Sequence, residues 1–188
     1  MLALMFFKVL ESCGPSPWNR WTALVAATLF CVHTGNTQPV NYISARSELL
    51  SGIGILGALL VYAYLPRARR FQLHLLPMVF GILAKTPAVI AAPLLLVYDL
   101  LIEKQLSARD LFRHEAWPRV REALLATAPA FVLGLALYVG VESMNPPGQT
   151  YGGGGRLAYL ATESWVWVRY VRVFFVPSGL SADTDLEL

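Results

Sequence analysis

The chain has 188 residues, of which 56% are hydrophobic and only 14% are charged. Soluble domains carry about a quarter charged residues, and the apolar residues here form long charge-free blocks, so the composition excludes a soluble enzyme. The net charge is +3, but the basic residues flank apolar blocks and form no aromatic-studded face, so no nucleic-acid partner is predicted. Two cysteines, Cys13 and Cys31, form neither a disulfide framework nor a metal-ligand set.

A helix that crosses a bilayer needs about 20 mostly apolar residues. By this criterion the sequence predicts an all-α fold, a polytopic transmembrane helical bundle. The predicted helices cover residues 1–12, 19–34, 47–65, 71–84, 87–102, 122–141 and 158–176. An external loop, 142–157, contains Asn-Pro-Pro-Gly and four consecutive glycines, which do not sustain regular structure. Because the first segment is too short for a span, it is typical of the tail of a helix that begins in a larger protein.

A Lys-Thr-Pro sequence at 85–87 interrupts the apolar stretch 71–98 and allows two interpretations, one kinked helix or two helices that meet at a turn. A kinked helix would separate the basic segments 67–70 and 103–122 onto opposite sides of the membrane, against the positive-inside rule. The charges therefore favour a hairpin, in which the threonine caps the second helix and the proline opens it.

The hairpin orientation places all but three of the 15 basic residues on the cytoplasmic side. The external exceptions are Arg46, Lys85 and Arg156. The sequence thus predicts a multi-pass protein, for which a bacterial plasma membrane is the expected location. In the last predicted span, 158–176, two arginines lie toward the cytoplasmic end, although the acidic segment that follows is also compatible with an interfacial helix.

The three external cations predict a site for a lipid phosphate or pyrophosphate, provided that they converge. Arginine binds phosphate as a planar fork and lysine binds it as a point charge. The alternative is that Arg46, Lys85 and Arg156 are unrelated headgroup anchors, and that Arg46 and Glu48 form an interfacial pair. If the site exists, loss of charge at Arg46 reduces the activity of the full-length protein far more than loss at Arg69.

Further polar residues lie near the predicted external ends of the helices and are assigned as secondary contacts of the site: His33, Gln38 and Glu48. Neither metal-ligand spacing nor a nucleophile beside a base occurs in the sequence, so no metal and no cofactor is predicted. A transferase needs a carboxylate near the acceptor, and on the external side only Glu48, Glu142 and Glu163 are present. The catalytic residues therefore stay unassigned.

Three blocks of sequence follow one another in the order of a known family: His33 with Thr37 to Leu50, Leu83 to Thr86 with Leu94 to Leu100, and Arg169-Tyr170 with Pro177 to Asp183. They resemble the His-Pro, Thr-Gln/Glu-Ala-Val and Arg-x-Glu/Asp-Leu-Leu segment, the Ser-Lys-Glu and Tyr-Asp-Leu block and the Pro-x-x-Leu-x-x-Asp ending of one group of proteins. These are the membrane glycosyltransferase-like proteins with tetratricopeptide repeats, including protein O-mannosyltransferases and bacterial relatives. Thr34 and Pro87 depart from the family pattern.

The resemblance implies a partial GT-C-like fold that moves a sugar from a polyprenyl-phosphate donor to a protein or glycan acceptor on the external face. In that family the catalytic acidic residues belong to the first external loop, which would precede Met1, and the repeats would follow Leu188. The segment alone is therefore expected to be inactive. A non-catalytic membrane anchor for a repeat-containing assembly protein is the alternative, while the lack of mid-bilayer polar residues disfavours a transporter.

The predicted orientation is tested by labelling single cysteines introduced at two positions, Lys85→Cys and Arg109→Cys, after Cys13 and Cys31 are replaced by serine. We expect a membrane-impermeant maleimide added from the periplasmic side to label position 85 and to leave position 109 unlabelled, because the two positions lie on opposite faces. Labelling at position 109 without labelling at position 85 would contradict the orientation and the phosphate site with it.

Overall fold

The computed structural model describes residues 1–33, 36, 45–107, 109–144 and 156–176, without the side chains of 112 and 156–163. All regular elements in these ranges are helical, which confirms the predicted all-α class. The α-helices are α1 (Leu2–Cys13), α2 (Asn19–Val32), α3 (Arg46–Tyr64), α4 (Pro66–Arg70), α5 (Leu75–Ala84), α6 (Ala91–Tyr98), α7 (Trp117–Met144) and α8 (Arg156–Phe175). Gln38, one of the predicted secondary contacts, lies outside the described residues.

Short helical turns join or extend several of these helices. A 3-10 turn, Thr86–Ile90, precedes α6 and a π-helical turn, Asp99–Glu103, follows it, while two further 3-10 turns, Asp110–Phe112 and His114–Ala116, lead into α7. In the described part of the chain, three continuous helices are long and apolar enough to cross a membrane: Arg46–Tyr64, Thr86–Glu103 and His114–Met144. This architecture fits a membrane protein.

The chain reverses direction at Lys85, in the manner of the predicted hairpin. Lys85 has an extended backbone between α5 and the next helix, and Pro87 lies in the first turn of that helix, where its missing N–H costs nothing. The Arg69 guanidinium, which precedes α5, lies 2.7 Å from the Asp99 carboxylate, which follows α6. The start of α5 and the end of α6 therefore share one end of the bundle. The predicted cap was wrong, since Lys85 and not Thr86 is the N-cap residue and its side chain forms no capping hydrogen bond.

These contacts define two ends of the bundle. We call the end that carries Arg69 and Asp99 the arginine end, and the end that carries Arg46 and Lys85 the lysine end. The turn between α1 and α2 lies at the arginine end, because Gln105, two residues after the π-helical turn, donates a hydrogen bond of 3.2 Å to the Ser12 carbonyl oxygen.

The core lies where α3, α5, α6 and α7 meet. Its buried apolar residues are Ala58, Leu59, Tyr62, Ala63, Met78, Ile82, Ala88, Ala91, Ala92, Leu95, Tyr98 and Ala130. Alanines dominate this set, so the helix axes approach closely, as is usual where helices associate by van der Waals packing in lipid.

Gly54 of α3 and Gly81 of α5 form the closest backbone approach. A Cβ atom on Gly54 would lie 2.5 Å from the Gly81 Cα atom and 2.7 Å from the Pro77 carbonyl oxygen. No side chain fits in that space, so the two helices pack backbone against backbone.

The last helix, α8, contributes no buried residue among its described side chains. Near its carboxyl end, the Phe174 carbonyl oxygen lies 2.8 Å from His33 Nε2, and the two rings stack with centroids 4.4 Å apart. The carboxyl end of α8 therefore contacts the carboxyl end of α2.

We expect Gly54→Ala to lower the free energy of unfolding by about 1–3 kcal/mol, because the added methyl group forces α3 and α5 apart. Gly52→Ala is the matched control on the same helix, since a Cβ atom there meets nothing within 4 Å, and it gains helix propensity. Unfolding in mixed detergent micelles, followed by circular dichroism, measures both variants. Equal stability of the two variants would contradict the backbone contact.

Candidate functional site

Lys85 and Glu48, two of the predicted site residues, form an ion pair at the lysine end. The Lys85 Nζ atom lies 2.6 Å from Glu48 Oε1, and the two side chains are 42% and 45% exposed. Glu48 lies in the first turn of α3, and Lys85 follows the last residue of α5. Because a helix favours an anion at its amino end and a cation at its carboxyl end, each charge stabilises its own helix as well as its partner.

Arg46 is the first residue of α3, and its side chain is exposed. Residues two apart on a helix do not face each other, which explains why Glu48 pairs with Lys85 rather than with Arg46. The interfacial pair of Arg46 and Glu48, considered from sequence, is therefore replaced by a contact between helices.

Two other predicted site residues, Arg156 and His33, belong to other parts of the structure than the Lys85–Glu48 pair. Arg156 is the first residue of α8, and its side chain lies outside the described set. His33 follows α2 and contacts Phe174. The structure thus joins Lys85 to Glu48 and puts Arg46 in the same helical turn as Glu48.

A second group of polar side chains lies at the arginine end, and we call it the buried polar cluster. Its members are Tyr62, Arg69, His74, Tyr98, Asp99 and Glu103. Arg69 is central: its Nη2 atom lies 2.7 Å from Asp99 Oδ1, its Nη1 atom lies 3.8 Å from Glu103 Oε2, and its guanidinium lies 3.8 Å from the centre of the Tyr62 ring. Tyr98 donates a hydrogen bond of 3.2 Å to Glu103.

The backbone at Asp99 positions its carboxylate for this cluster. Asp99 begins the π-helical turn, in which Lys104 N–H donates to the Asp99 carbonyl oxygen at 2.9 Å. Such turns are frequent at functional sites. The Asp99 side chain is only 1% exposed, so Arg69 compensates a charge that water does not reach.

Several polar atoms of the cluster are buried and have no hydrogen-bond partner among the described residues: Tyr62 Oη, both ring nitrogens of His74 and Asp99 Oδ2. The His74 ring meets the Tyr62 ring edge to face, with centroids 5.0 Å apart. His74 lies in the turn before α5, outside the three apolar helices. Burial and the nearby Arg69 charge lower the pKa of His74 to about 4, so its imidazole is neutral at neutral pH and adds no second cation.

One member of this cluster, Asp99, stands out in the sequence, although the sequence alone gives it no role. Asp99 is a charged residue among apolar neighbours, in Leu-Val-Tyr-Asp-Leu-Leu, and charges at membrane depth are usually paired or functional. The predicted hairpin already puts Asp99 on the same side as the arginines of 67–70. Which of the three arginines pairs with it depends on the fold of the turn.

No group of three or more His, Cys, Asp or Glu side chains in the described ranges has the geometry of a metal site. Comparison with protein-family models, with curated proteins and with solved structures finds no match to this chain. The polar side chains that the structure brings together thus form two groups, the ion pair at the lysine end and the buried polar cluster at the arginine end.

We expect Arg69→Ala to lower the free energy of unfolding by about 3–5 kcal/mol, because it leaves the buried Asp99 carboxylate without its partner. Asp99→Ala is expected to lower it less, because Arg69 is 27% exposed and keeps Glu103 at 3.8 Å. Asp99→Asn keeps an acceptor for the guanidinium, so its loss is expected to be smaller. Arg67→Ala is the matched control, since Arg67 is exposed on the same short helix, and a surface change of this kind stays within about 0.5 kcal/mol.

Detergent-induced unfolding of the four variants, measured under one set of conditions, tests this expectation. If Arg69→Ala is no more destabilising than Arg67→Ala, the buried pair does not hold the arginine end together.

Proposed function

We propose that this chain is the membrane segment of a GT-C-type glycosyltransferase that uses a polyprenyl-phosphate-linked sugar on the external face of a bacterial plasma membrane. The acceptor is a protein or a glycan. The ion pair between Lys85 and Glu48 is the single observation that carries the proposal. It brings together residues from two of the blocks that resemble the family, the Arg-x-Glu-Leu-Leu block and the Leu-Ala-Lys-Thr block, at one end of the bundle.

The charges at the lysine end match the charge of such a donor. Arg46, Lys85 and Glu48 together carry one net positive charge, and a polyprenyl-phosphate sugar is a phosphodiester with one negative charge. When the bond between the sugar carbon and the phosphate oxygen breaks, the leaving phosphate gains a second negative charge. Cations beside it stabilise that developing charge and so lower the barrier.

Arg46 and Lys85 have different roles in this proposal. Arg46 binds the phosphate oxygens as a planar fork, which lysine does not reproduce. Lys85 is shared between Glu48 and the phosphate, and its charge becomes more available as negative charge builds up on the leaving group. Arg156 is a third cation of the proposed site. The proton of the acceptor hydroxyl must pass to a base, which in the family resembled is an acidic residue of the first external loop.

One observation favours the alternative, a non-catalytic membrane anchor for a repeat-containing assembly protein. The charge of Lys85 is already compensated by Glu48 at 2.6 Å, as expected if the pair only fastens α3 to α5. Donor binding distinguishes the two functions, because an anchor has no need to bind a polyprenyl phosphate.

We expect the chain in lipid nanodiscs to bind undecaprenyl phosphate, and Arg46→Ala to weaken that binding about tenfold or more, since a hydrogen bond to a charged group contributes about 1.5–3 kcal/mol. Arg46→Lys keeps the charge and loses the fork, so an intermediate effect is expected. Native mass spectrometry of the lipid complex measures the affinities. Arg67→Ala, at the other end of the bundle, is the control.

Arg69 is unsuitable as that control, because its loss disrupts the buried polar cluster. Equal weakening by Arg46→Ala and Arg67→Ala, or no binding of the wild-type chain, would contradict the donor site and favour the anchor.

Glu48→Gln separates a binding role of Lys85 from a fastening role. Without the carboxylate, the full charge of Lys85 is available to an anion, so we expect undecaprenyl phosphate to bind several-fold more tightly. Lys85→Gln is the companion variant and weakens binding. If Lys85 only fastens two helices, both variants lower stability slightly, as for other exposed ion pairs, and neither changes lipid affinity.

A further inference from the structure

The side of α7 that faces away from the bundle carries an apolar stripe that begins beside a cation. The packing side is defined by the buried residues of the helix, Ala123, Thr127, Ala130 and Gly134. The spacing i, i+4, i+8, i+15 and i+22 puts five other residues on the opposite side: Trp117, Arg121, Leu125, Val132 and Val139. We call these five residues the outer stripe. Arg121 is exposed, and each of the other four is more than half exposed.

The length of the outer stripe matches the thickness of a bilayer. The sequence contains no Asp, Glu, Lys or Arg from 123 to 141. From Arg121 to Val139 the helix rises about 27 Å, and the hydrocarbon core of a bilayer is about 30 Å thick. Arg121 thus lies at one boundary of the hydrocarbon, and Trp117 lies one turn farther out, in the layer where tryptophan concentrates. Because helical side chains lean toward the amino end of the helix, Arg121 extends toward the headgroups.

The acidic side chains near the start of α7 are paired with cations other than Arg121. Glu122, the next residue, lies 2.7 Å from Lys104, and Asp110 lies 3.7 Å from Arg113. Among the described residues, none forms an ion pair or a hydrogen bond with Arg121. Its charge is therefore available to an anion, and at the boundary of the hydrocarbon the abundant anion is a lipid phosphate.

The outer stripe suits lipid better than it suits a second copy of the chain. Helices that associate within a membrane usually do so through small residues, and α7 does so on its packing side. The outer stripe instead consists of bulky side chains. A second copy that packed symmetrically on this side, in the same orientation in the membrane, would also bring two Arg121 side chains to one level, where like charges repel each other.

We propose that Arg121 and Trp117 bind the headgroup of an anionic phospholipid at the arginine end of the bundle. The pair of Glu122 with Lys104, just after the π-helical turn, puts the start of α7 at that end. The Arg121 guanidinium binds the lipid phosphate as a planar fork, the Trp117 indole N–H donates to the headgroup, and an acyl chain lies along Leu125. The site is separate from the charges at the lysine end and does not depend on the proposed glycosyl transfer.

Native mass spectrometry of the full chain with added phospholipid tests the headgroup contact. We expect phosphatidylglycerol to bind more tightly than phosphatidylcholine, whose choline cation compensates its phosphate. Arg121→Ala should lower the phosphatidylglycerol affinity about fivefold, the contribution of one arginine near an anionic lipid surface. Arg119→Ala is the matched control, since Arg119 is also exposed but residues two apart lie on different sides of a helix. Equal losses in the two variants, or equal binding of the two lipids by the wild-type chain, would overturn the proposal.

Spin labels test whether lipid covers the outer stripe, in the background with Cys13 and Cys31 replaced by serine. In vesicles of phosphatidylcholine and phosphatidylglycerol, a nitroxide on Val132→Cys should collide frequently with oxygen, which dissolves in lipid. One on Leu137→Cys should collide rarely, because Leu137 packs against the core. Equally low access at both positions would show that a second copy or another part of the chain covers the stripe. Equally high access would show that α7 does not pack as described, and either result overturns the proposal.

Discussion

The buried pair of Arg69 and Asp99 is the constraint on which the rest of the bundle depends. A carboxylate that is 1% exposed is stable only when a cation compensates it, because desolvation of a lone charge costs several kcal/mol. This requirement brings the turn before α5 to the end of α6. It thereby fixes the two helices antiparallel and puts Lys85 at the opposite end of the bundle from the basic turns.

The Arg69–Asp99 and Glu48–Lys85 ion pairs differ in how easily their charges change partners. The Asp99 carboxylate is buried beside Tyr62, so its charge has no alternative partner in water, although Arg69 itself is 27% exposed. Glu48 and Lys85 are each nearly half exposed, where an ion pair contributes little to stability. The ion pair at the arginine end is thus stable, whereas the charges at the lysine end exchange partners at a small cost in free energy. An exchangeable pair is the kind of arrangement that suits transient binding of an anion.

The sequence determines the helices and the reversal at Lys85 through simple rules, namely apolar length and the distribution of basic residues. Those rules describe whole segments of the chain and do not predict which side chains contact each other. The pairing of Glu48 with Lys85 instead of Arg46, the choice of Arg69 among neighbouring arginines, and the uncapped start after Lys85 all depend on how the helices pack. For α8, apolar length predicts the helix, whereas the contact of Phe174 with His33 joins residues 141 positions apart and depends on the fold.

The contact of Gly54 with Gly81 has a mechanical consequence for the lysine end. Gly54 lies midway along α3 and Gly81 lies near the carboxyl end of α5, while Glu48 and Lys85 extend from the same two helices on one side of the contact, two turns or fewer away. Because a Cβ atom on Gly54 would overlap the backbone of α5, the separation of the two helices at this point is set by the backbones themselves. The glycine contact thereby limits how far apart the two oppositely charged side chains stand, and a bulkier residue at position 54 would move the carboxylate away from the ammonium group.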